Sequence, residues 1–242
     1  MTGAHDWVDL LRTHTRRFTE LLADADPDAP VEHCPGWTVR DLAVHLGGVH
    51  QWVVHAVVAG DPSLTPEPPR ENDDVAGWYA RQARALVGLL AATPPDAFAW
   101  TLDRDDRTAG FWRRRQVHEV VVHTWDLEHA TGTTSSIDPA LAWDGVREVT
   151  DVLLPRQVRL GRARPPRRTL HLVATDVANG GPVVLEDRAR PATEAADPEL
   201  DAPVEVRGRA EDVLLLLWHR TDPDTLGVDP RAVEVLAQAL VP

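Results

Sequence analysis

The chain has 242 residues, 43% of them hydrophobic and 26% charged, enough for one large domain or two modest ones with a true core. Its formal charge of −13 disfavours nonspecific attraction to nucleic acid or anionic lipid, and no Arg run interleaved with aromatics appears. All 25 basic residues are Arg, which excludes lysine chemistry, and a single cysteine, Cys34, excludes an intrachain disulfide and a multi-cysteine zinc site.

Asp6 is read as an N-cap for a first helix to about Ala23, with Trp7, Leu10, Leu11, Phe18, Leu21 and Leu22 as its apolar stripe. Asp26-Pro27-Asp28-Ala29-Pro30 ends it. Thr38, with Asp41 three residues on, forms a capping box for a second helix to about Ala59, stopped by Gly60-Asp61-Pro62. A loop from Ser63 to Asp73 leads to a third helix, roughly Asp74 to Ala92, ended by Thr93-Pro94-Pro95. The fourth is expected over Thr108 to Ala130 and closes at Gly132; a fifth, capped by Asp138, runs from Pro139 to Arg159. The long helices predict an antiparallel four-helix bundle with one additional helix.

The pattern changes after the Arg-rich stretch Gly161 to Arg168. Thr169–Thr175, Pro182–Leu185 and Pro203–Arg207 alternate like strands, and Asp212–His219 and Pro230–Leu240 read as helices. A domain boundary is therefore expected near residue 162, with a small α+β domain after it. The first residues, Met1 to Asp6, lack a signal-peptide pattern, and no apolar run approaches a bilayer span. A cytoplasmic address is expected, with no membrane or nucleic-acid partner and a monomer or homodimer.

Histidine is the informative residue type, with 11 copies. In Val117-His118-Glu119-Val120-Val121-Val122-His123-Thr124-Trp125-Asp126, His118 and His123 stand about 140° apart on a helix and cannot share a metal. Glu119 and His123 are four apart and share a face, with Asp126 on the same stripe. Such a pair is ordinarily a solvated i,i+4 contact. It becomes a metal site only if a facing helix adds a third donor, and a catalytic zinc takes three protein ligands and keeps one position open. His45, mid-helix among Leu42, Ala43, Val44 and Leu46, is the best candidate, with His50 as the fallback. Cys34 precedes a helix N-terminus, which lowers a thiol pKa, yet without a paired base it reads as structural.

Cys34-Pro35-Gly36-Trp37-Thr38-Val39-Arg40-Asp41-Leu42-Ala43-Val44-His45-Leu46 resembles the opening of the mycothiol-dependent maleylpyruvate isomerase family, within the wider group of DinB-like metal-binding four-helix bundles. Arg115 to Asp126 resembles that family's second metal-binding segment, and Val204–Gly208 with Asp212–Arg220 its small C-terminal domain. The resemblance covers nearly the whole chain. It implies a zinc (or another divalent metal) held by His45, Glu119 and His123, and mycothiol as the cofactor in place of a protein nucleophile. It further implies an Arg of the C-terminal domain near the active site. Arg220 is the match, although the family usually has Gly just before that Arg and here it is His219.

The expected function is thus a metal- and mycothiol-dependent isomerase of maleylpyruvate-type substrates, or an S-transferase acting on an electrophilic small molecule. In this reading Arg220 pairs with a substrate carboxylate, Arg81 and Arg84 offer further anion contacts, and Asp126 orients His123 or acts in catalysis. Two other readings stand beside it: a non-catalytic metal- or ligand-binding or regulatory protein, and a zinc hydrolase with Asp126 as base.

Overall fold

The computed structural model describes residues 6–70, 73–178, 180–187, 202–238 and 240–241. Residues 1–5, over which no signal peptide is expected, lie outside the described residues, as do 71–72 of the loop after the second helix. Two compact units are present, Met1–Ser135 and Ser136–Pro242.

The first unit is a helical bundle: α1 (Trp7–Asp24), α2 (Val39–Val58), α3 (Val75–Ala92) and α4 (Ala109–Ala130). Their starts follow local chemistry. Asp6, Thr38, Asp74 and Thr108 each accept first-turn N–H groups, and Thr38 and Asp41 complete the expected capping box. Trp7 meets His118 and Arg17 meets Glu128, so α1 and α4 run in the same direction. Trp52 meets Trp112 while His50 meets Gln116, so α2 opposes α4. Tyr79 near the start of α3 meets His50, while Arg113 near the start of α4 donates to the Leu90 and Thr93 carbonyls at the end of α3. So α3 also opposes α4 and two helices point each way, the long connection after α2 carrying the chain back to start α3 beside it. Gly47 makes the α2–α3 approach possible, because a Cβ there would stand 2.2 Å from the Trp78 ring.

α4 differs from the other helices in being buried all round. Every residue from Arg115 to Glu128 is buried, polar ones included. Its run of Val and Thr has weak helix propensity, so packing rather than propensity holds it helical.

The second unit begins before the fifth helix, not near residue 162. The segment Pro139–Arg159 is helical as expected, and its first part, α5 (Pro139–Glu148), buries Leu141, Ala142, Trp143 and Val146 and packs on α7 (Ala210–Leu217). Those apolar contacts draw the boundary to its N-terminal side. The helix widens into a π turn over Val149–Leu153, where the Leu154 N–H donates to the Val149 carbonyl, and continues as α6 (Leu154–Arg159). Pro155 cannot donate into the helix ladder, which accounts for the irregular turn ahead of it. A three-stranded sheet follows, in the order β2 (Val183–Leu185), β1 (Leu170–Ala174), β3 (Val204–Gly208). β1 pairs antiparallel with β2 and parallel with β3, with Leu172 opposite Val183 and Val206. α8 (Pro230–Leu236) is the last helix. Among the described residues no helix is long and apolar enough to cross a membrane.

Candidate metal centre

The α2–α4 seam brings His45, Glu119 and His123 together, with one ligand atom from each lying within 4.8 Å of the others. His45 Nε2 is 3.4 Å and His123 Nε2 3.5 Å from the same oxygen, Glu119 Oε1. Both exceed a good N–H···O hydrogen bond of about 2.7–3.2 Å. They match the spacing of about 3.3 Å expected between tetrahedral ligands each about 2.0–2.1 Å from zinc. Two imidazole nitrogens and a carboxylate oxygen, so spaced, are a donor set that fits a divalent cation.

The surroundings aim each donor. Asp126 Oδ2 accepts from His123 Nδ1 at 2.9 Å, which turns Nε2 toward Glu119. Arg115, one helical turn before Glu119, pairs with its other oxygen, Oε2. Burial alone would raise the Glu119 pKa, but the Arg115 guanidinium, with the nearby His123 and His45 imidazoles, holds the carboxyl well below its usual range. Burial alone would likewise lower the His123 pKa, and the Asp126 and Glu119 carboxylates overcome it, lifting it to about 9.

Access is one-sided. The Glu119 and His123 side chains are 8% and 5% exposed, whereas that of His45 is 36% exposed. The apolar sequence neighbours of His45 predict a core position. The structure instead sets it at the edge of the bundle, where it opens the trio to solvent. Its ring lies 4.9 Å from Trp37 and 5.2 Å from His123, between ring centroids. His50, the fallback ligand, is fully buried and already engaged: Nδ1 bonds Gln116 at 2.9 Å and Nε2 bonds the Tyr79 hydroxyl at 3.3 Å.

The other expected residues are carried by other elements. Arg81 and Arg84 are exposed on α3, not on the α2–α4 seam. Arg220 belongs to the second unit. It follows α7 in a turn where the His219 N–H donates to the Leu216 carbonyl and the Arg220 N–H to that of Leu215. His219 stands at φ +59°, the left-handed conformation glycine adopts most easily, which gives a physical reason for glycine at this place in the family. The Arg220 guanidinium donates to the Trp218 carbonyl and lies over the Trp218 ring.

Sequence reasoning missed two contributors. The Arg115–Glu119 pair was visible as an i,i+4 spacing. Cys34, set aside as structural, donates from Sγ to Asp126 Oδ2 at 3.6 Å, and Cys34, His123 and Asp126 form a second group of close ligand atoms. Nothing in the local sequence links residue 34 to residue 126.

A model of the mycothiol maleylpyruvate isomerase N-terminal domain matches residues 8–128, and a model of the corresponding C-terminal domain matches residues 140–237. The chain belongs to the mycothiol maleylpyruvate isomerase family. Two uncharacterized proteins from strains of Mycobacterium tuberculosis, Rv0738 and MT0763, are each 31% identical over 141 residues, spanning 56% of this chain and 74% of theirs. The crystal structure of the mycothiol-dependent maleylpyruvate isomerase shares the fold at a TM-score of 0.59 and 17% identity, covering 89% of both chains. A mutant form of that enzyme aligns at 0.56 and 17%, covering 87% of both. Both family domain boundaries bracket the division between Ser135 and Ser136.

Proposed function

We propose that this protein is a metal-dependent enzyme that uses a low-molecular-weight thiol, mycothiol, to isomerise a maleylpyruvate-type substrate or to transfer the thiol onto an electrophilic small molecule. The observation that carries the reading is the convergence of His45, Glu119 and His123 on one point, with His45 half-exposed. A structural zinc is closed by four protein ligands, whereas three ligands and a solvent-facing side suit a catalytic site. That favours an enzyme over a purely structural or regulatory role. A divalent cation held there supplies positive charge that favours the thiolate of a bound thiol at neutral pH.

The chain's own residues prepare the site. Asp126 holds the Nδ1 proton of His123, so the proton given up when a cation binds is the one on Nε2. Arg115 keeps Glu119 ionised and restricts its rotation. Asp126 is itself fully buried on the Nδ1 side of His123, so it acts through that ring and not on a substrate, which weighs against a hydrolase with Asp126 as base. In the isomerase reading, the thiolate adds to a carbon of a cis double bond conjugated to a carbonyl. The new single bond rotates, and loss of the thiolate returns the trans double bond. In the transferase reading the carbon–sulfur bond persists and the enolate formed by addition takes up a proton from solvent.

The test is turnover of maleylpyruvate by the zinc-loaded full chain with and without mycothiol, followed by a panel of electrophiles. Turnover that requires both zinc and thiol is expected. Turnover unaffected by omitting the thiol, or none on any substrate, would overturn the proposal.

A further inference from the structure

The metal donors leave unexplained the turn Cys34-Pro35-Gly36-Trp37, just ahead of α2. The Trp37 N–H donates to the Cys34 carbonyl at 2.9 Å, and Gly36 stands at φ +85° after Pro35, which is a type II turn. A second bond, from the Cys34 N–H to the Val31 carbonyl at 3.0 Å, and a bridge between Pro30 and Thr38 tie it down. Its first residue reaches Asp126, whose Oδ2 accepts from both Cys34 Sγ and His123 Nδ1. Its last residue lays an indole beside His45. A short turn therefore contacts His45 directly and reaches His123 through Asp126, from outside the two helices that carry them.

We propose that this turn is a positioning device for the metal centre: Cys34 orients His123 through Asp126, and Trp37 sets the ring of His45. The proposal rests on the metal-site reading. Cys34 contributes a hydrogen-bond donor here, neither a nucleophile nor a ligand. The thiol fills one lone-pair direction of the Asp126 oxygen and so limits how the carboxylate can rotate about the His123 N–H. Trp37 restricts the half-exposed imidazole, which would otherwise lose rotamer freedom on binding a cation.

The test compares Cys34→Ala, Cys34→Ser, Trp37→Leu and Trp37→Phe in the full chain, by competition of zinc against a chromophoric chelator. Cys34→Ala and Trp37→Leu are expected to weaken zinc binding about tenfold. Cys34→Ser, which keeps a donor, and Trp37→Phe, which keeps a ring, are expected to stay within about threefold of the parent. Alanine at position 34 binding zinc as tightly as cysteine would overturn the proposal, as would a folded serine variant as weak as the alanine one. A sulfur-to-metal charge-transfer band in the cobalt-loaded protein, lost in Cys34→Ser, would also overturn it by making Cys34 a ligand. If the parent protein binds no metal, that reading fails by itself, and NMR of the metal-free protein decides the turn's role. A slowly exchanging His123 Nδ1 proton is expected in the parent and Cys34→Ser but not in Cys34→Ala; the same signal in all three would overturn it.

Discussion

His50 is a fully buried histidine that couples α2, α3 and α4, and it makes the first unit sensitive to acid in a calculable way. Burial lowers its pKa from 6.5 to about 4, the Gln116 hydrogen bond opposing that shift only in part. The folded chain thus binds fewer protons at this site than the unfolded chain between those values. The associated stability is complete above about pH 6.5 and is lost progressively as pH falls toward 4. Linkage with these two values removes about 2 kcal/mol between pH 7.5 and pH 5. His50→Leu abolishes the titration but strands the Gln116 carbonyl and the Tyr79 hydroxyl, at a cost of about 2 kcal/mol at neutral pH. Parent and variant are therefore expected to differ at pH 7.5 and to converge near pH 5. Urea unfolding of the metal-free proteins, followed by tryptophan fluorescence at both pH values, measures the gap. A gap equally wide at pH 5 and pH 7.5 would refute a buried, neutral His50.

Metal loading near pH 7.5 should release about one proton per chain, because His123, with a pKa of about 9, must give up its proton to offer Nε2. Calorimetric titration in buffers of differing ionisation enthalpy reads this directly, and no net release would contradict the assignment. Gly47→Ala should cost about 1–3 kcal/mol, since the new methyl runs into the Trp78 ring and the helices must separate; an unchanged melting temperature would contradict the close approach. At position 219, Gly should be about 1 kcal/mol more stable than Ala, because only glycine takes the left-handed conformation freely; thermal unfolding of the two variants decides it.

The helical framework was legible because its signals are local. Caps at Asp6, Thr38, Asp74 and Thr108 and stops at Pro and Gly place α1 to α4 within a residue or two of expectation. The domain division was less legible. A change from helical to alternating periodicity marks where strands begin, whereas the core of the second unit starts with α5, whose partner α7 lies far along the chain. In α4 the polar residues are as buried as the apolar ones, so periodicity says little about faces, and the Glu119–His123 pair stands out by residue type and spacing alone. His45 misled in the opposite sense: apolar sequence neighbours suggested the core, while its own side chain points to the bundle's edge. The Cys34–Asp126 contact joins residues 92 apart and leaves no local trace.

The most direct measurement is an anomalous-scattering map from a crystal of the zinc-loaded protein, collected at the zinc edge. The expected result is one peak per chain, about 2.0–2.2 Å from His45 Nε2, Glu119 Oε1 and His123 Nε2. A peak instead among Cys34, His123 and Asp126, or no ordered metal at the α2–α4 seam, would contradict the proposed centre.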